Sequence, residues 1–311
     1  MKQAIIDIGS NSMRLTVYEV AGETFKILFR EKSMAGLAGY VEEGRLSPEG
    51  IARACSGLLE FRETLAALDI TAVAVFATAS LRNIFNTAEA VWAIQTATGF
   101  SVEVLSGTEE ALLGYYGAGL EVHCTSGAFL DIGGGSTEVV VFDQGQPVQS
   151  ASFRMGSLSL YRSYVKKILP GDGALKRMKE AIEETVGEKA LLDFSRRTHL
   201  ICVGGTARAA LKLCKKVYHL TPGSRTITME QLEGLCQTLE TGDQNAIDLL
   251  LRHVPERIHT MVPGLLILRH LGRLFETKEL VVCKYGVREG YLCQKVLKIE
   301  QNNTDTPKTG S

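Results

Sequence analysis

Ala4-Ile5-Ile6-Asp7-Ile8-Gly9-Ser10-Asn11-Ser12, running on into Met13-Arg14-Leu15-Thr16-Val17-Tyr18-Glu19-Val20, decides the fold. It reads as a short apolar strand, an Asp, a Gly/Ser turn and a second strand rich in β-formers. The turn cannot hold a crossover helix, so the two strands pair antiparallel. The pattern returns at Ala128-Phe129-Leu130-Asp131-Ile132-Gly133-Gly134-Gly135-Ser136-Thr137, followed by Glu138-Val139-Val140-Val141-Phe142. A third strand is expected after each hairpin, over 24–29 and 148–154. Two copies of one unit imply an internal duplication, one copy opening each domain, although unrelated Asp-x-Gly turns would read alike.

Strands and helices alternate between and beyond the copies. Ser47-Pro48-Glu49 supplies an N-cap and a first-turn proline, after which Ile51, Cys55, Leu58, Leu59, Arg62 and Leu65 keep helical spacing. A strand is expected over 71–77, a helix over 87–97 stopping near Gly99, a strand over 101–105 and a helix over 108–117. In the second half the spacing predicts a helix over 172–192, a strand over 200–203 and a helix over 207–216. Helices over 246–254 and 265–275, divided by Pro255 and Pro263-Gly264, precede a strand over 280–283 and a terminal helix from about 287. The fold class is α/β with mixed sheets. The expected domains are 1–124 and 125–300, with 301–311 a polar, mobile tail.

Composition narrows the function classes. Of 311 residues, 45% are hydrophobic and 22% charged, a globular balance, and the formal net charge of -1 excludes attachment to nucleic acid or anionic membrane by bulk charge. The seven scattered cysteines form no Cys-x-x-Cys pair, which argues against a zinc cluster or disulfide framework and for a reducing cytoplasm. No apolar run is long enough for a bilayer, and no export leader is evident at the start. Trp92 and the six histidines form no recognisable site. Charge is uneven: 13 Lys and Arg against 6 Asp and Glu lie between Leu160 and Lys216, densest at Arg196-Arg197 and Lys212 to Lys216. That stretch is a solvated helix face or a bed for a long polyanion.

Several segments carry chemistry. A Gly/Ser turn lets successive backbone N–H groups converge on an oxyanion, and an Asp at the strand end can hold a cation or water that bridges to it. Gly204-Gly205-Thr206, between a strand and a helix, is a third seat for an anion. Ser106 and Glu109 have capping-box spacing, which leaves Glu110 on another face of the first helical turn. Glu110 there either takes a proton from an attacking water or is a surface glutamate favoured by the helix dipole, the plainer reading of that segment alone. Arg82, leaving a buried strand, is a phosphate clamp or a loop arginine in a surface pair.

Taken in order, Asp7 to Ser12 with Arg14, Ala77 to Arg82, Ser106 to Ala111, Asp131 to Glu138, Met155-Gly156, Gly204-Gly205-Thr206 and Gly286-Val287-Arg288-Glu289-Gly290 resemble the exopolyphosphatase and guanosine pentaphosphate phosphohydrolase family over about 3–292. The resemblance implies two ribonuclease-H-like domains of the actin-like ATPase superfamily flanking a cleft. It implies Mg2+-dependent hydrolysis of a terminal phosphoanhydride of polyphosphate or guanosine pentaphosphate, with Glu110 activating the water. Gly9, Ser10, Asn11, Ser12, Arg14, Arg82, Gly133, Gly134, Gly135, Ser136, Thr137, Gly205 and Thr206 match phosphate-binding positions. Asp131, Glu138 and Asp7 match metal positions, and family habit suggests a homodimer. Leu112 replaces the arginine that relatives carry beside the catalytic glutamate, and Cys283 replaces a serine. The chain lacks the added helical region of longer relatives, which favours short polyphosphates or a nucleotide. An ATP-dependent kinase or ATPase, a non-catalytic sensor of the same anions and, less so, a filament-forming protein are the rival readings.

Overall fold

The computed structural model describes residues 1–188 and 192–299. The first strands, β1 (Lys2–Ile8), β2 (Met13–Ala21) and β3 (Thr24–Ser33), form an antiparallel meander, followed by the small ribbon β4 (Val41–Glu42) and β5 (Arg45–Leu46). Helix α1 (Pro48–Ala67) starts at Ser47, whose side chain accepts from the Gly50 amide. Then come β6 (Val73–Ala77), the single turn α2 (Ala79–Arg82), α3 (Thr87–Thr98), β7 (Val102–Val104) and α4 (Gly107–Gly119). The first sheet has the order β3-β2-β1-β6-β7, with β6 parallel to both β1 and β7.

The second half repeats the plan. The meander β8 (Gly127–Ile132), β9 (Thr137–Asp143) and β10 (Gln146–Phe153) leads to α5 (Ser157–Tyr164) and α6 (Asp172–Gly187). Next are β11 (His199–Val203), α7 (Gly204–Val217), β12 (Thr226–Thr228), α8 (Met229–Glu240), α9 (Gln244–His253), α10 (Met261–Leu274), β13 (Glu279–Val282) and α11 (Val287–Tyr291). The sheet order is β10-β9-β8-β11-β13-β12, so β8 and β11 repeat the parallel pairing of β1 and β6. Both hairpins pair antiparallel as expected.

Some boundaries differ. The helix expected over 265–275 begins at Met261, because Pro263 lies in the first turn, where its missing N–H costs nothing. Helix α7 begins at Gly204 and contains the whole Gly-Gly-Thr turn. Helix α8 went unpredicted, although Thr228 and Gln231 form a capping box at its start. The helix expected to reach 192 ends at Gly187, with Glu188 as its C-cap, and the 301–311 tail lies outside the described residues.

Period-two alternation gives each sheet two apolar faces. Ala4, Ile6, Ile8, Leu15 and Val17 pack outward against α1 and α3, in a core with Leu58, Phe61 and Ile94. Ile5, Tyr18 and Phe76 face inward, onto Tyr291 and Leu292. In the second sheet Leu130, Ile132, Val139 and Val141 face a large core with α7, α8 and α10, while Phe129, Val140, Phe142, Ile201 and Val203 face Ala111, Tyr115 and Ala118. Helix α4, which precedes residue 124, therefore covers the second sheet, and α11, from the end of the described chain, covers the first. The two helices meet where Gly117 lies against the Gly286 carbonyl and Gly290 against that of Leu113, with no room for a Cβ at either glycine. The two helices are thus exchanged between the sheets.

Candidate active site

The alternation that builds the cores also builds the site. Asp7 follows Ile5 on the inward face of β1, and Asp131 follows Phe129 on the inward face of β8. Across the ladders, Asp7 pairs with Arg14 and Arg14 with Lys32. At the equivalent places Asp131 pairs with Glu138 and Glu138 with Ser152. The duplication thus puts Arg and Lys beside one Asp, and Glu and Ser beside the other.

One cleft gathers Asp7, Gly9 to Ser12 and Arg14 from the first half with Asp131, Gly133 to Ser136 and Gly205 from the second. Glu110 lies on the same wall. The two Gly/Ser turns touch: a Cβ on Gly135 would stand 2.9 Å from Ser10 Oγ, and one on Gly134 3.6 Å from Asn11 Cβ. Gly204 has φ +83°, and a side chain there would overlap Asp131 Oδ1, so both backbone and space require glycine.

Residues that the sequence reading did not single out supply most of the positive charge. Lys32, Arg208, Arg257, Lys284 and Arg288 join Arg14 around the cleft. Burial holds the Arg14 guanidinium below its ordinary range, with Arg288 and Arg257 repelling it and Asp7 and Asp131 opposing. Arg208 is drawn down to about 10, first by burial and then by Arg14 and Arg288. Mutually repelling guanidiniums held beside glycine turns make a seat for a polyanion. Arg288 stood within a quoted motif, and Arg208 two residues past the Gly-Gly-Thr turn. Arg257 and Lys32 had no local signal, because the fold alone carries them there. Of the basic stretch between Leu160 and Lys216, Arg208 lines the cleft, whereas Arg197 binds Asp193 and Ser195.

Glu110 is 12% exposed and accepts from Arg82 Nη1 at 2.6 Å. Its neighbour Glu109 is engaged in the capping box with Ser106, as the spacing suggested, and also pairs with Lys295. Burial raises the Glu110 carboxyl to about 7, against the lowering by Arg82 and with a contribution from Asp131 and Asp7. Glu138, almost fully buried, is pushed well up by burial and then by Glu110. It accepts from Ser152 Oγ at 2.9 Å and lies 3.5 Å from Arg82 Nη2.

Four expected contacts are absent from the cleft wall. Arg82 is occupied behind Glu110, donating also to the Leu105 carbonyl and to Ser152 Oγ. Glu138 is sealed in beside it. Thr137 donates to the Met155 carbonyl and Thr206 to that of Ile132, and both are buried. Leu112 packs against the apolar cluster under α4.

Among the described residues no group of three His, Cys, Asp or Glu side chains forms a ready metal cage. Asp7 and Asp131 nevertheless fit a hard cation that keeps most of its water. Both line the cleft, neither is in an ion pair among the described residues, and desolvation raises both carboxyls. No helix among the described residues is long and apolar enough to cross a membrane, and all seven cysteines are free thiols.

The fold and the family agree with this geometry. An exopolyphosphatase from Cytophaga hutchinsonii superposes with a TM-score of 0.83 at 22% identity, over 96% of this chain and 98% of that one. A Ppx/GppA family member from Aquifex aeolicus superposes with a TM-score of 0.77 at 25% identity, over 96% and 98%. These likenesses establish the two-domain actin-like architecture. The sequence model of the Ppx/GppA phosphatases matches residues 16–299, and the chain belongs to that phosphatase family.

Proposed function

We propose that the protein hydrolyses phosphoanhydrides, releasing the terminal phosphate of inorganic polyphosphate or of guanosine pentaphosphate with the help of Mg2+. One observation carries this reading: Glu110 shares a cleft wall with both Gly/Ser turns and with Arg14, Arg208, Arg257 and Arg288.

Phosphoryl transfer demands positioning and charge neutralisation more than covalent chemistry. The turn amides and guanidiniums hold the phosphate chain and neutralise charge on its oxygens. Glu110, with a carboxyl near 7, is substantially ionised at neutral pH yet basic enough to take a proton. It accepts that proton from water as the water oxygen bonds to the terminal phosphorus. The bond from phosphorus to the bridging oxygen breaks, and the shortened chain leaves with the electron pair. Arg82 orients the carboxylate and Glu138 holds Arg82. Asp7 and Asp131 would hold magnesium, which supplies further neutralisation of phosphoryl charge when bound. Seven free thiols fit a reducing, cytoplasmic setting.

Phosphate release from tripolyphosphate, long polyphosphate, guanosine pentaphosphate and ATP, each with magnesium and with chelator, tests the reading. Release from a polyphosphate or the pentaphosphate that chelator abolishes supports it. Turnover of ATP alone, or of none of the four, overturns it.

A further inference from the structure

A second cavity of about 740 Å³ lies beside the first turn of α4, apart from the phosphate cleft. Its walls include Arg82, Thr108, Ser150, Ser152 and Arg154, with Glu188 as the acid. Alternation along β10 explains the set. Ala151 and Phe153 enter the outer core, so Ser150, Ser152 and Arg154 share the opposite face. Arg82 divides the two spaces. It holds Glu110, which lines the cleft, through Nη1, and turns Nη2 toward Ser152 in the second cavity.

We infer that this cavity binds a small oxyanion of the orthophosphate class, between Arg82 and Arg154, and that the bound anion competes with Glu110 for the Arg82 guanidinium. Two guanidiniums lining one cavity with the hydroxyls of Thr108 and Ser150 are the chemistry that recognises a tetrahedral oxyanion. Among the described residues Glu188 opposes it from the wall, and Glu110 and Glu138, which already pair with Arg82, oppose it from behind. An anion paired with Arg82 weakens the hold on Glu110, so occupancy slows turnover without blocking substrate entry. The binding site stands independently of the hydrolase reading; its effect on turnover rests on that reading.

The test uses inorganic phosphate and the full chain. Titration calorimetry of the wild type should show a cleft site weakened by Arg208→Ala and a second site weakened by about tenfold or more in Arg154→Ala. Ser150→Trp, which fills the cavity from its rim, should remove the second site and leave the first. In turnover assays phosphate should inhibit with a component that rising substrate does not relieve, and both cavity variants should lose that component while keeping their uninhibited rate. A single phosphate site unaffected by Arg154→Ala and Ser150→Trp overturns the proposal, whether or not the protein hydrolyses anything. Two sites with purely competitive inhibition overturn the coupling through Arg82.

Discussion

Arg82 and Glu110 meet through one charge-assisted bond, Nη1 to Oε2 at 2.6 Å, which ties the end of α2 to the first turn of α4. Because α4 lies on the second sheet and α2 follows a strand of the first, this bond also links the two halves at the head of the cleft. Glu110 is thus a carboxylate whose basicity is raised by burial and by the nearby Asp131 and Asp7 and lowered by the Arg82 guanidinium.

The pH profile of turnover follows from that balance. Glu110 must be ionised to accept a proton, and burial raises its carboxyl to about 7. kcat/KM is expected to climb with pH through a midpoint near 7, reported by the Glu110–Glu138 pair as a unit. Initial rates from pH 5 to 9 check this; full activity at pH 5 would contradict it.

Arg82 lowers the carboxyl of Glu110, so its loss moves the acid limb of that profile to higher pH. Arg82→Ala should also destabilise the fold by about 3 kcal/mol at pH 8, because two buried carboxylates lose their cation. Arg82→Lys should restore part of the stability but not the profile, since an ammonium cannot bond both sides at once. Denaturant melts and rate profiles on the same preparations separate the two effects.

The same raised carboxyl is a stability statement. Folded Glu110 binds its proton more tightly than the unfolded chain, whose value is near 4.5. Its contribution is present below pH 4.5 and is lost as pH rises through about 7. Glu110→Gln should therefore match the wild type near pH 4 and exceed it at pH 8 by on the order of 2 kcal/mol. Equal stability at both pH values would show that the carboxyl is not desolvated.

The crossing of α4 and α11 gives a test of the fold. A methyl on Gly117 would meet the Gly286 carbonyl, whereas one on Gly119 would meet nothing within 4 Å. Gly117→Ala should cost about 2 kcal/mol or more, and Gly119→Ala should be neutral or stabilising by up to about 1 kcal/mol. Thermal melts of the pair distinguish overpacking from helix propensity.

The sequence carried the hairpins, the Asp positions and the glycine turns, because each rests on local rules: strand period, turn length and the backbone freedom of glycine. Ser106 and Glu109 carried the start of α4 for the same reason. What could not be read locally is what topology brings together. Lys32 reaches the cleft as the ladder partner of Arg14, and Arg257 arrives from the short 3-10 helix Pro255–Arg257 after α9. Arg82 had the right chemistry for a phosphate clamp, yet the nearest anion is Glu110, which lies 28 residues away in sequence. The exchange of α4 and α11 was equally hidden, since helical periodicity does not say which sheet a helix covers.

The most direct test of the central claim is phosphate release by Glu110→Gln beside its binding of tripolyphosphate. Loss of turnover by about a thousandfold or more with binding held within a few-fold is expected for a residue that acts on the water and not on the chain. Near-normal turnover, or binding lost together with activity, would contradict it.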